Sequence, residues 1–211
     1  MKAELLHSKI CLYGITMQET NPEQLLEKVR AAAAGGMTML QIRQKQMPAE
    51  KLVALAAPVL EFCRQNGILC LINDQVEAAR MLSADGVHVG QNDMCIPQAR
   101  AILGSDAIIG TSAHSVEEAV QAQKDGADYI GCGAVFPTGT KTDATPLSME
   151  TLCSIRKAVT IPMVAIGGIT AKNAALLKGS GIDGIAVVSA IFGQENPEQA
   201  ARTMKNLAQQ I

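Results

Sequence analysis

Ser83-Ala84-Asp85-Gly86, Gly126-Ala127-Asp128 and Gly181-Ile182-Asp183-Gly184 are three versions of one short phrase, with Gly35-Gly36 as a fourth, shorter one. Each follows an amphipathic stretch and leads into an apolar run. Glycine supplies the left-handed residue that ends a helix and turns the chain back. Outward from these turns, strand-length apolar runs alternate with helical periodicity along the chain. Strands are predicted over 11–16, 37–43, 68–73, 86–89, 107–111, 129–135, 163–166 and 184–188. Helices are predicted over 22–34, 48–65, 75–82, 96–103, 116–124, 149–159, 171–178 and 197–211. The four turns precede strands two, four, six and eight. Eight strand-helix units of about 26 residues suit an α/β fold closed into a (β/α)8 TIM barrel. A doubly wound open sheet is the runner-up, but four equivalent turns on alternate units favour a ring. No linker or charge run divides residues 1–211, so one catalytic domain is expected.

Composition narrows the function. The 211 residues carry 18 basic and 20 acidic side chains, a net charge of -2, with 2% aromatics and no Trp. A chain of this length buries roughly 70% of its unfolded surface without disulfides or a structural metal. Without a basic cluster or stacking aromatics, nucleic acid and anionic membranes are poor partners. Small-molecule substrates are expected instead. The start lacks an uninterrupted apolar region of secretory type, and no apolar run approaches membrane-spanning length. The six cysteines form no Cys-x-x-Cys pair and no zinc spacing, so they read as reduced, mostly buried residues of a cytoplasmic protein. Cys132, between two glycines, is the one candidate nucleophile among them, and a buried role is the better reading. The ten methionines read as core filler rather than a dimer surface, which leaves a homo-oligomer open.

In such a barrel chemistry gathers at the C-terminal strand ends. The second strand ends Gln41-Ile42-Arg43-Gln44-Lys45, where alternation puts Gln41, Arg43 and Lys45 on one face. Two cations and an amide in a barrel mouth suit a polyanion, with a salt-bridged strand end as the equal alternative. The third strand ends Asn73-Asp74, and Asp93 follows the fourth. Two carboxylates facing basic residues suit Mg2+, whose other ligands would be substrate oxygens and water. Taken singly, either aspartate reads better as a helix cap. His88 alternates into the mouth, with a hydrogen-bonded core histidine as its rival reading. Ser115-Val116-Glu117-Glu118 reads as a capping box, leaving Ser112 and His114 to face the site. The loop Pro137-Thr138-Gly139-Thr140-Lys141-Thr142-Asp143 offers hydroxyls and one lysine to phosphate groups. Gly167-Gly168 and Val188-Ser189 end strands seven and eight, where barrels hold phosphate on backbone N–H groups.

Gln41-Ile-Arg43-Gln-Lys45, Ile72-Asn73-Asp74, Gly86-Val-His88-Val-Gly-Gln-Asn-Asp93, Ser112-Ala-His114, Phe136-Pro-Thr-Gly-Thr-Lys-Thr-Asp143, Ala165-Ile-Gly-Gly-Ile169 and Val187-Val-Ser189 occur in that order from about Leu12 to Phe192. The series resembles the thiamine-phosphate synthase family. The resemblance implies a transferase of thiamine biosynthesis that joins hydroxymethylpyrimidine diphosphate to thiazole phosphate and releases diphosphate. It assigns the pyrimidine diphosphate to Gln41, Ile42, Arg43, Gln44, Lys45, Asn73, Ser112 and Lys141, with His88 beside them in the mouth. It assigns Mg2+ to Asp74 and Asp93, and the thiazole phosphate to Thr138, Gly139, Thr140, Gly168, Val188 and Ser189. Arg43, Lys45, Ser112 and Lys141 carry catalysis in this reading, in which diphosphate leaves before the thiazole nitrogen attacks. The chain departs from the family pattern at Met17, Gln75 and Ala134. The alternatives are a thiazole tautomerase-like isomerase, a non-catalytic thiazole phosphate-binding barrel and a generic phosphosugar isomerase. The first has little use for Gln41, Asp93 and the Thr-x-Thr-Lys loop, and the last leaves Lys45 and the paired aspartates unexplained.

Overall fold

A computed structural model describes residues 2–139 and 146–211. The strands β1 (Leu12–Ile15), β2 (Met39–Ile42), β3 (Leu69–Asn73), β4 (Gly86–Val89), β5 (Ile108–Ala113), β6 (Tyr129–Gly133), β7 (Met163–Ile166) and β8 (Gly184–Val187) pair in parallel in chain order. β8 pairs back on β1, with Tyr13 opposite Ala186, and the barrel is closed. The helices are α1 (Lys2–Lys9), α2 (Pro22–Ala34), α3 (Ala49–Gln65), α4 (Val76–Leu82), α5 (Ile96–Leu103), α6 (Val116–Lys124), α7 (Met149–Ala158), α8 (Ser189–Phe192) and α9 (Pro197–Ala208). None of the described helices is long and apolar enough to cross a membrane.

Alternation along each strand sorts side chains into two layers. Leu40, Ile42, Ile72, Val87, Ile109 and Ile130 belong to the outer layer that packs against the helices. Tyr13, Ile15, Met39, Leu71, Tyr129 and Val164 fill the interior. Each fully buried aliphatic side chain contributes about 1.5–3 kcal/mol, so both layers stabilise closure. Cys132 belongs to the outer layer, and burial pushes its thiol up to about 12. It is therefore no nucleophile at neutral pH, in keeping with its reading as a core residue.

The repeated phrase is a clamp. Asp85 Oδ2 accepts from Cys70 N at 2.7 Å, while Asp128 Oδ2 and Asp183 Oδ2 accept from Ile109 N and Met163 N, both at 2.8 Å. Each aspartate returns its own N–H to the carbonyl of the same partner residue. Strands β3 and β4, β5 and β6, and β7 and β8 are thus tied at their entry ends. Arginines from the preceding odd-numbered helices complete two clamps, Arg100 with Asp128 at 2.6 Å and Arg156 with Asp183 at 3.0 Å. Gly36, Gly126 and Gly181 have positive φ as the reading required, and Ser83 takes the same left-handed region without being glycine.

Three elements differ from expectation, one of them the short helix α8, which follows β8 directly. Helix α1 lies in a stretch to which no element was assigned, and its Leu6 and Ile10 are fully buried in the interior cluster, where they close the entry end of the barrel. Residues 171–178 form only the 3-10 turn Ala174–Leu177. Asn173 accounts for this: its side chain accepts from Thr170 N at 2.7 Å and donates to Gly168 O at 2.9 Å, a local alternative to helical bonding.

Candidate active site

A cavity of about 490 Å³ opens at the C-terminal strand ends. Its floor is a line of polar side chains crossing the barrel. Gln41 Nε2 donates to Tyr13 Oη at 2.7 Å, and the two tyrosine hydroxyls meet at 2.8 Å. Tyr129 Oη lies 2.8 Å from His88 Nδ1, and His88 Nε2 lies 3.1 Å from Ser112 Oγ. A Cβ at Gly110 would collide with the Tyr129 ring, so this glycine makes room for the aromatic. Burial raises the pKa of both tyrosines, which keeps them neutral donors.

Arg43, Lys45, Asn73, Asp74 and Asp93 form one wall. Among the described residues Arg43 forms no ion pair, and its backbone is held by the Thr16 hydroxyl at 2.9 Å from its N–H. Neither aspartate caps a helix: the caps of α4 and α5 are Gln75 and Cys95. Asp93 Oδ2 instead accepts from Gly90 N at 2.7 Å. Asp74 adopts φ 60°, a left-handed conformation that Asp tolerates better than most residues, and its N–H bonds His88 O at 2.8 Å. Burial first and the adjacent Asp93 next raise its carboxyl from 3.8 to about 6, against the opposing pull of Lys45 and Asn73. Two carboxylates thus stand as neighbours on this wall. That donor set fits Mg2+, a hard cation that keeps several waters and takes one or two protein carboxylates. Among the described residues no cluster of three or more His, Cys, Asp and Glu forms a closed cage.

The opposite wall is backbone. Gly167 and Gly168 have φ of 97° and 66°, and a Cβ on Gly168 would strike the carbonyls of Phe136 and Pro137. Beside them Val188 and Ser189 open α8, whose first N–H groups have no intrahelical acceptor. Thr138 and Gly139 reach the same cavity. Thr140 and Lys141 lie outside the described residues, as do Thr142 and Asp143.

The sequence grouping is thus largely brought together, with two corrections. Ile42 is fully buried in the outer layer among the helices, because alternation turns it away from Gln41 and Arg43. Gln44 is also turned away: it donates to Met17 O at 3.1 Å and accepts from Glu19 N at 3.0 Å, so it fastens the loop after β1. His114 lines the cavity, but its ring is 2.9 Å from Glu118, which also accepts His114 N–H. The capping box is therefore shifted by one residue, with Ser115 Oγ still accepting from Glu118 N. Tyr13 and Tyr129 were not anticipated. The available signal was composition: the chain has only two tyrosines, and both fall in strands.

A sequence profile described as thiamine monophosphate synthase matches residues 12–191. The thiamine-phosphate synthase of Moorella thermoacetica is 45% identical over 183 residues, covering 86% of this chain and 87% of the relative. That of Ruminiclostridium cellulolyticum is 46% identical over 194 residues, covering 92% of each. The solved thiamine phosphate pyrophosphorylase from Pyrococcus furiosus superposes with a TM-score of 0.88 at 40% identity, over 97% of this chain and 98% of that one.

Proposed function

The chain belongs to the thiamine monophosphate synthase family and is an enzyme of thiamine-phosphate synthesis, and from that premise we propose how its residues divide the work. The substrates are small molecules. The cationic and carboxylate wall takes the pyrimidine diphosphate, through Gln41, Arg43, Lys45, Asn73 and Ser112, and the resemblance adds Lys141 to them. The backbone wall takes the thiazole phosphate, through Thr138, Gly139, Gly168, Val188 and Ser189, and the resemblance adds Thr140 to them. The carrying observation is that Arg43, Lys45, Asp74 and Asp93 share one cavity with Gly168, Val188 and Ser189.

In the reaction the methylene C–O bond breaks and its electron pair leaves with diphosphate. The thiazole nitrogen lone pair then forms the C–N bond to the pyrimidinylmethyl cation. No protein nucleophile is required. Arg43, Lys45 and Lys141 stabilise charge growing on the leaving group, and the two walls hold the reacting atoms in line. Asp74 and Asp93 would hold Mg2+, which when bound neutralises diphosphate charge as a Lewis acid. The even charge balance and scarce aromatics support a reading without nucleic-acid or membrane partners.

The test is diphosphate release by purified protein given both substrates, with and without Mg2+. Release matched by thiamine phosphate, only with metal and both substrates, is expected. Metal-independent product would overturn the role of Asp74 and Asp93. Thiazole phosphate binding without product would move the chain to a tautomerase or a non-catalytic barrel.

A further inference from the structure

The polar line beneath the cavity has a direction. An amide nitrogen only donates, so Gln41 Nε2 makes Tyr13 Oη an acceptor at that end. Each phenol carries one hydrogen. With every hydroxyl hydrogen used within the line, Tyr13 donates to Tyr129 and Tyr129 to His88 Nδ1, which is then the unprotonated ring nitrogen. The ring proton is left on Nε2, facing Ser112 Oγ. Both ends of the line belong to the cavity lining. At one end Gln41 Oε1 has no partner among the described residues and remains an acceptor. At the other, Ser112 Oγ accepts from His88, so its own hydrogen is available to donate.

We propose that Tyr13 and Tyr129 are positioning residues that fix this polarity and thereby make the site select a 4-aminopyrimidine over its 4-oxo counterpart. The 4-amino group of an aminopyrimidine offers an N–H to the acceptor fixed at Gln41 Oε1. A 4-oxo ring turns a carbonyl oxygen to that acceptor instead. Burial keeps both hydroxyls protonated, so each remains a donor. A site with the wrong group facing a buried polar atom leaves that atom unpaired, which is where discrimination comes from. The inference rests on the pyrimidine being read from the Gln41 and Ser112 side of the cavity.

The test has two independent readouts. Nitrogen-15 NMR of histidine-labelled protein without substrate reports the His88 tautomer. The Nε2–H form is expected in the wild type, and an Nδ1–H form would overturn the proposal whatever the variants do. Tyr129→Phe keeps the ring but removes the relay hydrogen, so the single Nε2–H signature should give way to a mixture of tautomers. The preference for the 4-amino diphosphate over its 4-oxo analogue in competition should fall about tenfold. Tyr13→Phe leaves Tyr129 able to donate to His88, so the tautomer should persist while the preference still falls, because Gln41 loses its anchor. If Tyr129→Phe leaves both tautomer and preference unchanged, the tyrosines are packing residues. Failure of the functional reading would appear separately, as no thiamine phosphate from the wild type.

Discussion

Asp183 and Asp74 lie at opposite ends of the barrel and are held in opposite ways. Asp183 accepts from Met163 N and pairs with Arg156 at 3.0 Å, so its charge is met from two sides. Asp74 sits in a left-handed backbone against a second carboxylate, with its carboxyl raised to about 6. The first arrangement stabilises the fold. The second stores unfavourable charge where a cationic ligand relieves it, as expected of a site that works on charged groups. The same contrast separates Arg156, which is paired, from Arg43, which has no ion pair among the described residues.

Substitutions at the two ends should therefore fail in different assays. The largest effect is expected for Arg43→Ala, which should lower kcat/KM roughly 100- to 1000-fold with little change in Tm. Steady-state kinetics beside thermal unfolding checks it, and a comparable loss of stability would erase the contrast. Asp183→Ala should do the reverse. It leaves Met163 N–H without its side-chain acceptor and Arg156 without its counter-charge, with only Val159 O still accepting from the guanidinium, and should cost about 3 kcal/mol in urea unfolding, with kcat per folded molecule within about twofold.

Asp74→Asn sharpens the comparison further. The folded state raises this carboxyl above its ordinary value, so ionisation destabilises the fold. The penalty is absent below pH 3.8, grows through the interval and is complete above about 6. After screening in the open mouth, Asp74→Asn should stabilise the protein by about 1 kcal/mol at pH 7.5 and by nothing near pH 3.5, while Mg2+-dependent turnover is lost. Equal denaturation midpoints at pH 7.5 would show that the carboxylate pair carries no strain. The smallest effect is expected for Ile42→Val, which should cost about 1 kcal/mol and leave the KM of both substrates unchanged, because Ile42 faces the helices. A raised KM would return Ile42 to the site.

The entry end was the more legible in sequence because its device is local and repeated. Asp85, Asp128 and Asp183 recur at the same offset from a strand, so the pattern announces the ring. At the mouth, alternation correctly grouped Gln41, Arg43 and Lys45, and the same rule, applied to Ile42 and Gln44, turns them out of the site. The tyrosine line was hidden because its members are scattered over four strands and β2's Gln41, and only barrel closure brings Tyr13 to Tyr129, 116 residues apart. Helix α1 was missed because what stabilises it is the barrel opening that Leu6 and Ile10 fill, a tertiary effect with little local signature.

One consequence of that tyrosine line is spectroscopic. The chain has no tryptophan and two tyrosines; Tyr13 lines the cavity and Tyr129 is buried directly against it, hydroxyl to hydroxyl at 2.8 Å. Ultraviolet emission from this protein therefore originates from the site floor alone, since phenylalanine contributes little. A ligand settling above Tyr13 and Tyr129 perturbs the whole signal rather than a small fraction of it, so the unlabelled protein carries its own optical reporter of occupancy.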